Sequence, residues 1–290
     1  MNLDTHFYRT AHGFQLALHC SVPSGKPVLC FTHGNGLAAK MYEPMLKHLS
    51  NDYDFVLLDA QGHGDSEHGG DFVGWNQSAE LAAAAYQTMM QRYPDVAFIG
   101  VGHSFGGVIT ALVQANYQLF QRILLLDPVI FTPVMVSLMR VLTWSGLYQH
   151  NKLAKRARQR KHQFDNYQQA WDYFYQRGLF RHWHDEGLHA YLRHGLRQYG
   201  ELLQLKCAPQ REAEIFASFP TQLWPQLRQL RRRVDLLIGT DTYPFVLHSA
   251  RRLQRINQQV HTHRLQGGHC FMQEQPLHVA LLIRRLLAGS

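Results

Sequence analysis

Cysteine is scarce in this 290-residue chain, and long apolar runs are absent. Its four cysteines (Cys20, Cys30, Cys207 and Cys270) form no C-x-x-C pair, which argues against a zinc site and against a disulfide framework. No segment reaches the run of about 18 apolar residues that a transmembrane helix needs, and Met1–Thr10 lacks the apolar stretch of a secretory signal. We therefore expect a reduced, cytoplasmic protein without stable membrane insertion.

Charged residues are also few, at 17% against 46% hydrophobic residues, and this balance supports a sizeable core rather than disorder. A net charge of +8 is compatible with a nucleic-acid or anionic membrane partner. However, the excess lies in Lys152–Lys161 and Arg228–Arg233, and no recognised nucleic-acid motif accompanies either segment. We interpret both as solvated helical faces and expect no nucleic-acid partner, with binding to a membrane surface as an open alternative.

The most informative stretch is Val96–Gly107, which begins as a continuous apolar run typical of a buried parallel strand. It continues through Gly-His-Ser-Phe-Gly into a second apolar segment that predicts a helix. A G-x-S-x-G motif between a strand and a helix indicates a nucleophile elbow, with Ser104 as the nucleophile. Gly102 and Gly106 flank it because a Cβ at either position would collide with a neighbouring strand or helix.

Two glycine-containing segments follow earlier predicted strands. Pro27–Thr32 leads into His33-Gly34-Asn35-Gly36, and Phe55–Asp59 leads into a D-x-x-G-H-G-x-S loop that ends at Ser66. The second segment looks like a structural turn at the carboxyl edge of the sheet, so we assign it no chemistry.

With these motifs, the chain resembles the α/β-hydrolase superfamily, specifically its lid-bearing serine esterases and lipases. The resemblance covers Phe14–Val129 and Arg233–Leu287 well and the intervening part only in outline. It implies an α/β fold with a mostly parallel eight-stranded sheet flanked by helices. It also implies a core of residues 1–129 and 226–290 with a helical lid, residues 130–225, inserted after strand 6. Whether the lid's aromatic residues line an acyl pocket or form its own core is open at this stage.

The resemblance also suggests roles for other residues. The backbone N–H groups of Asn35 and Phe105 would form the oxyanion hole, and His269, in a glycine loop after the last strand, would be the base. The acid is ambiguous: Asp241 lies one residue before the usual position, which Thr242 occupies, while Asp127 ends strand 6 at a second known location. Asp241 is favoured because the superfamily uses its loop more often, and both candidates are kept.

These assignments predict a serine hydrolase that cleaves a carboxylic ester of a small apolar substrate through an acyl-enzyme. We expect no cofactor and no metal, since the 19 histidines show no recognised metal-binding spacing. A thioester or a C–C bond as the scissile bond remains an alternative. So does a non-catalytic ligand-binding protein with the same fold, although intact Ser104, His269 and glycine turns argue against it. The oligomeric state stays unknown.

Overall fold

A computed structural model describes residues 1–144, 148 and 151–288. Its central feature is an eight-stranded sheet with the strand order β1-β2-β4-β3-β5-β6-β10-β11. These strands span Asp4–Arg9 (β1), Gln15–Cys20 (β2), Val28–Thr32 (β3), Asp54–Leu58 (β4), Phe98–His103 (β5), Arg122–Leu126 (β6), Val234–Gly239 (β10) and Val260–Leu265 (β11). β2 is antiparallel to both β1 and β4, and all the other pairs are parallel. The predicted mostly parallel eight-stranded sheet is confirmed.

Two apolar clusters, one on each face of the sheet, form the core. Successive residues of β3 show why: Val28 and Cys30 join one cluster, whereas Leu29 and Phe31 join the other. Side chains of a strand point alternately to opposite faces, so a strand covered on both sides is apolar throughout. The helices of the core are α1 (Glu43–Leu46), α2 (Trp75–Met90), α3 (Ser104–Tyr117), α9 (Leu223–Leu227), α10 (Pro244–Ile256), α11 (Phe271–Glu274) and α12 (Pro276–Ala288).

The passage from β5 into α3 is packed so closely that glycine is required on both sides of Ser104. A Cβ on Gly102 would lie 2.4 Å from the carbonyl oxygen of Gly106, and one on Gly106 would lie 2.3 Å from the carbonyl oxygen of His33. Real Cβ atoms do not approach backbone oxygens this closely. The predicted steric role of these glycines is confirmed, and it fixes the position of Ser104 at the carboxyl end of β5.

The sequence predicted a purely helical segment between β6 and β10, and the structure differs from this prediction. Besides helices, its described residues include a three-stranded antiparallel sheet with the order β7-β9-β8. These elements are α4 (Pro133–Trp144), α5 (Lys152–Arg158), β7 (Gln163–Phe164), α6 (Tyr167–Phe174), α7 (Asp185–Gly195), β8 (Leu196–Tyr199), β9 (Leu202–Leu205) and α8 (Pro209–Phe216). A Gly200 turn with φ +58° joins β8 to β9. Alternation over so few residues is easily mistaken for helical periodicity, which explains the error.

Most aromatic residues of this segment are part of a core. The rings of Phe164, Phe174, Phe180, Trp183 and Tyr191 contact one another and are nearly fully buried. They belong to the same apolar cluster as one face of the main sheet, and α7 packs against the 3₁₀ turn Ala39–Tyr42. Of the two interpretations left open by the sequence, the structure supports a structural core for these residues.

Within the described residues, no helix is long and apolar enough to cross a bilayer.

Candidate active site

Three predicted residues from distant parts of the chain form one hydrogen-bonded chain. His269 Nε2 lies 2.8 Å from Ser104 Oγ, and His269 Nδ1 lies 2.6 Å from Asp127 Oδ2. The serine is 8% exposed and the aspartate is fully buried, so this series of hydrogen bonds leads from the serine into the interior of the protein. Nucleophile, base and orienting carboxylate in this contact order are what an activated serine requires.

Ser104 has an unusual backbone conformation. Its φ is +54°, in the left-handed region that costs a non-glycine residue about 1–2 kcal/mol. The residue is also the first of α3, where N–H groups lack helical acceptors and the helix dipole is positive. The strained turn thus presents the hydroxyl beside backbone donors.

Asp127 is positioned by the adjacent strand β10. Its N–H donates to the Leu237 carbonyl at 2.8 Å, which extends the β6–β10 ladder by one residue, and the Gly239 N–H donates to Oδ1 at 3.0 Å. The Thr242 hydroxyl donates to Oδ2, the oxygen that also faces His269. The buried carboxylate therefore has three donors, which hold it in place and aim it at the imidazole.

The preference for Asp241 as the partner of His269 is wrong in the structure. Its side chain is exposed, and the one hydrogen bond of its carboxylate to a described residue is accepted from the Thr240 hydroxyl, at 3.4 Å. The next residue, Thr242, turns inward in its place and bonds to Asp127. The sequence did contain a signal for this outcome, because Thr242 occupies the usual position of the acid. Its hydroxyl can donate a hydrogen bond to a carboxylate, which indicates that the acid comes from another strand end.

The two predicted oxyanion donors lie on either side of Ser104. Phe105 is the second residue of α3, where the N–H has no helical acceptor. Asn35 follows Gly34, and a Cβ on Gly34 would lie only 3.3 Å from Ser104 Cβ, so the His33–Gly36 turn touches the elbow. In the described part of the chain, no protein acceptor lies within hydrogen-bonding distance of the Asn35 N–H.

Two buried histidines fix this turn. His33 Nδ1 donates to the Gly34 carbonyl, and its Nε2 accepts the Ala60 N–H at 2.9 Å. His63 Nε2 accepts the Gly36 N–H at 3.1 Å, while its Nδ1 donates to the Gln61 carbonyl. Burial, reinforced by the nearby His33 ring, lowers the pKa of His63 to about 3. The D-x-x-G-H-G-x-S loop thus supports the turn that carries Asn35.

A second set of hydrogen bonds, which sequence reasoning missed, links this turn to the His269 loop. The Gly34 N–H donates to the Tyr42 hydroxyl at 3.1 Å, that hydroxyl donates to His103 Nδ1 at 2.6 Å, and His103 Nε2–H donates to the His269 carbonyl at 3.0 Å. Burial lowers the pKa of His103 well below its usual range, and the adjacent His269 lowers it further, so His103 is neutral. Burial also raises the pKa of Tyr42, which keeps its proton.

Tyr42→Phe should reduce turnover more than substrate affinity. The substitution removes one acceptor and one donor from the chain that links Gly34 to His269, and small displacements of reacting groups are costly. We expect kcat to fall about tenfold with KM changed less, as measured by steady-state ester hydrolysis. Tyr93→Phe is the matched control because its buried hydroxyl donates to the Ser21 and Phe55 carbonyls at the opposite end of β4. Equal kcat losses in both variants would contradict a positioning role for Tyr42.

The buried neutral histidines should make the protein sensitive to mild acid. Burial also lowers the pKa of His33, so below pH 6.5 the unfolded chain binds protons that the native state excludes. The free energy of unfolding therefore falls as pH falls, and His63 alone should account for about 1.4 kcal/mol between pH 7.5 and 5.5. Urea unfolding of wild type and His63→Gln across this pH range measures the contribution of His63 to the free energy of unfolding. If the free energy of unfolding changed with pH by the same amount in both proteins, His63 would not contribute.

Five aromatic rings, here called the aromatic wall, lie in a row from His269 to the nucleophile. Tyr243, Phe245, Phe131, Trp75 and Phe105 are in successive ring contact, with centroid separations of 4.7–5.9 Å. Tyr243 also lies 5.1 Å from the His269 ring and is about half exposed. The row thus connects the His269 ring to the residue that follows Ser104, and four of the five rings come from the core rather than from the segment 130–225.

One group in the described residues has metal-ligating atoms close together. Donor atoms of His19, Asp59 and Asp65 lie within 4.8 Å of one another. However, His19 already pairs with Asp59 at 2.8 Å, while Lys40 and Lys206 both pair with Asp65. The group is thus a set of internal ion pairs beneath the supporting loop, and we assign it no metal.

Known proteins share this fold and parts of the sequence. A family model described as the alpha/beta hydrolase family matches residues 28–280, and the chain belongs to that family. A serine hydrolase-like protein of Danio rerio is 29% identical over 147 residues, which cover 50% of this chain and 44% of that relative. E-2-(acetamidomethylene)succinate hydrolase superposes with a TM-score of 0.81 at 17% identity, over 99% of this chain and 100% of the other. A peroxisomal α/β-hydrolase, Lpx1, from Saccharomyces cerevisiae superposes with a TM-score of 0.76 at 18% identity, over 99% of this chain and 87% of the other. The chain spans less than half the length of the Danio rerio relative, and the structural matches establish the fold.

Proposed function

We propose that the protein is a serine hydrolase that cleaves carboxylic esters of small apolar substrates through an acyl-enzyme. The hydrogen-bonded chain Ser104–His269–Asp127 is the observation that carries this proposal. The family makes hydrolysis the expected reaction, and this geometry supplies the nucleophile.

The acylation step begins at Ser104. His269 Nε2 takes the hydroxyl proton while Oγ forms a bond to the substrate carbonyl carbon, and the carbonyl electron pair moves to its oxygen. Collapse of this tetrahedral intermediate breaks the bond to the alcohol, which leaves with the proton from His269. Asp127 accepts the Nδ1–H throughout and stabilises the imidazolium.

Deacylation repeats the sequence with water as the nucleophile. His269 removes a proton from water as the water oxygen attacks the acyl carbon, and the Ser104 oxygen leaves with that proton. In both steps the Asn35 and Phe105 N–H groups bind the negatively charged oxygen. One such donor is worth on the order of 3 kcal/mol in related chemistry.

The aromatic wall supports an apolar substrate. The Tyr243 ring is about half exposed beside His269, and the Phe245 and Phe131 rings that follow it are partly exposed. We also propose that segment 130–225 acts as a lid, since the Glu212 carbonyl of α8 accepts from Asn35 Nδ2 at 3.1 Å beside the oxyanion turn.

A panel of p-nitrophenyl esters of increasing acyl length tests this proposal. We expect kcat/KM to be highest for short-to-medium aliphatic chains and to disappear in Ser104→Ala. Matched thioesters, run in the same panel, distinguish ester from thioester preference. Complete inactivity of folded wild type towards every ester and thioester would favour a ligand-binding protein, and a clear preference for charged acyl groups would contradict the proposed apolar site.

A further inference from the structure

The outer face of α4 exposes an unusual amount of apolar surface. Val134, Leu138, Val141 and Trp144 are 77%, 56%, 64% and 91% exposed, and their spacing places them on the side opposite the buried Val136 and Met139. A helix that is apolar on both sides normally has both sides covered. A contiguous exposed apolar face of this kind marks an interaction surface.

The charges around this face have one sign. Between Asp127 and Asp165 the sequence contains seven Lys or Arg residues and no Asp or Glu. On α5, Lys152, Lys155 and Arg156 are exposed on the side opposite Ala154 and Ala157, and Leu153 is 53% exposed among them.

The acidic residues of α8 cancel the charge of Arg160, one of these seven cations, but not the charges on the exposed side of α5. On α8, which packs against α5, Glu212 pairs with Arg160 at 2.6 Å and Glu214 pairs with Arg211 at 2.8 Å. Both carboxylates therefore already have their own cations. The length of the connection between α4 and α5 keeps Trp144 and Asn151 within about 25 Å of each other, so the end of α4 and the start of α5 are neighbours on the molecule.

We propose that α4 and α5 form a docking surface for anionic phospholipid membranes, which the protein binds reversibly at the headgroup level. Exposed Trp and Leu together with Lys and Arg are the composition that enters such an interface. Charge complementarity decides between occupants. A symmetric dimer through this face would bring identical cations together without an acidic partner. Nucleic acid would be attracted to the cations but would gain little from the apolar face.

Vesicle binding tests the electrostatic part. Wild type should sediment with phosphatidylcholine vesicles that contain about one third phosphatidylserine, bind phosphatidylcholine alone far less, and detach in about 0.5 M salt. The triple variant K152Q/K155Q/R156Q should bind roughly a hundredfold more weakly, because each cation near an anionic surface contributes about fivefold. Arg228→Gln, Arg231→Gln and Arg232→Gln together are the matched control, since they remove the same charge from exposed positions elsewhere.

A second pair of variants tests the apolar part. L138S/V141S should weaken vesicle binding at least about tenfold, whereas L277S/L281S, at exposed positions of α12, should not. Thermal melting confirms that each variant is folded, and sedimentation velocity reports any dimer.

Three results would overturn the proposal. The first is equal binding to neutral and anionic vesicles, and the second is equal loss in the variants and their controls. The third is absence of vesicle binding by wild type together with a different occupant of the same surface. That occupant would be a second copy or duplex DNA, in a complex that L138S/V141S or the α5 triple variant abolishes. None of these readouts depends on hydrolysis, so the docking surface and the proposed hydrolase function can fail separately.

Discussion

Replacing Asp127 with asparagine should lower kcat by about four orders of magnitude in ester hydrolysis, although the shape of the site is retained. The introduced amide would keep an oxygen for the Gly239 N–H but would place its N–H toward His269 Nδ1. His269 would then carry its proton on Nε2, facing Ser104, and could no longer accept the hydroxyl proton. Steady-state kinetics on protein shown to be folded by thermal melting measures this loss.

Asp241→Asn is the matched control, because it makes the same chemical change one residue before Thr242. Its side chain is exposed and its carboxylate accepts from the Thr240 hydroxyl rather than from His269, so turnover should stay within about twofold of wild type. Loss of turnover in Asp241→Asn with an active Asp127→Asn would contradict the assignment of the acid.

Ser104→Ala should have the largest effect, a loss of about six orders of magnitude in kcat, as for nucleophile removal in a well-studied serine protease. The methyl group fits the same backbone conformation, so stability should change little. Measured with the p-nitrophenyl ester that wild type prefers, the residual rate should equal that of His269→Ala within about tenfold, because the two residues act as one unit. If the loss of kcat in the Ser104→Ala/His269→Ala double variant were the product of the two single losses, the two residues would act independently.

The positions of the central strands could be predicted because several strand ends carried their own signal, whereas the eight-stranded arrangement followed from the resemblance to the superfamily. The apolar run before Gly102 and the glycines around Ser104 have a single steric explanation, which the close contacts at Gly102 and Gly106 bear out. The small sheet β7-β9-β8 could not be predicted, since strands of two to four residues leave no periodicity to read. Its stability comes from packing with residues distant in sequence.

The site was predictable to the extent that its residues follow strands. Ser104 and His269 come together because parallel strands end at the same edge of the sheet, but the choice between Asp127 and Asp241 depended on which side chain turns inward. That is decided by one residue of loop length and by the Thr242 hydroxyl. Tyr42 and His103 were missed because a buried side chain that bonds only to backbone and to other side chains leaves no motif.

The central claim is that Ser104 is an activated nucleophile, and the most direct measurement is covalent labelling with a fluorophosphonate followed by mass spectrometry of the peptides. We expect one adduct, located on the peptide that contains Ser104, absent in Ser104→Ala and strongly reduced in His269→Ala. An adduct on a different residue, or none on folded wild-type protein, would contradict it.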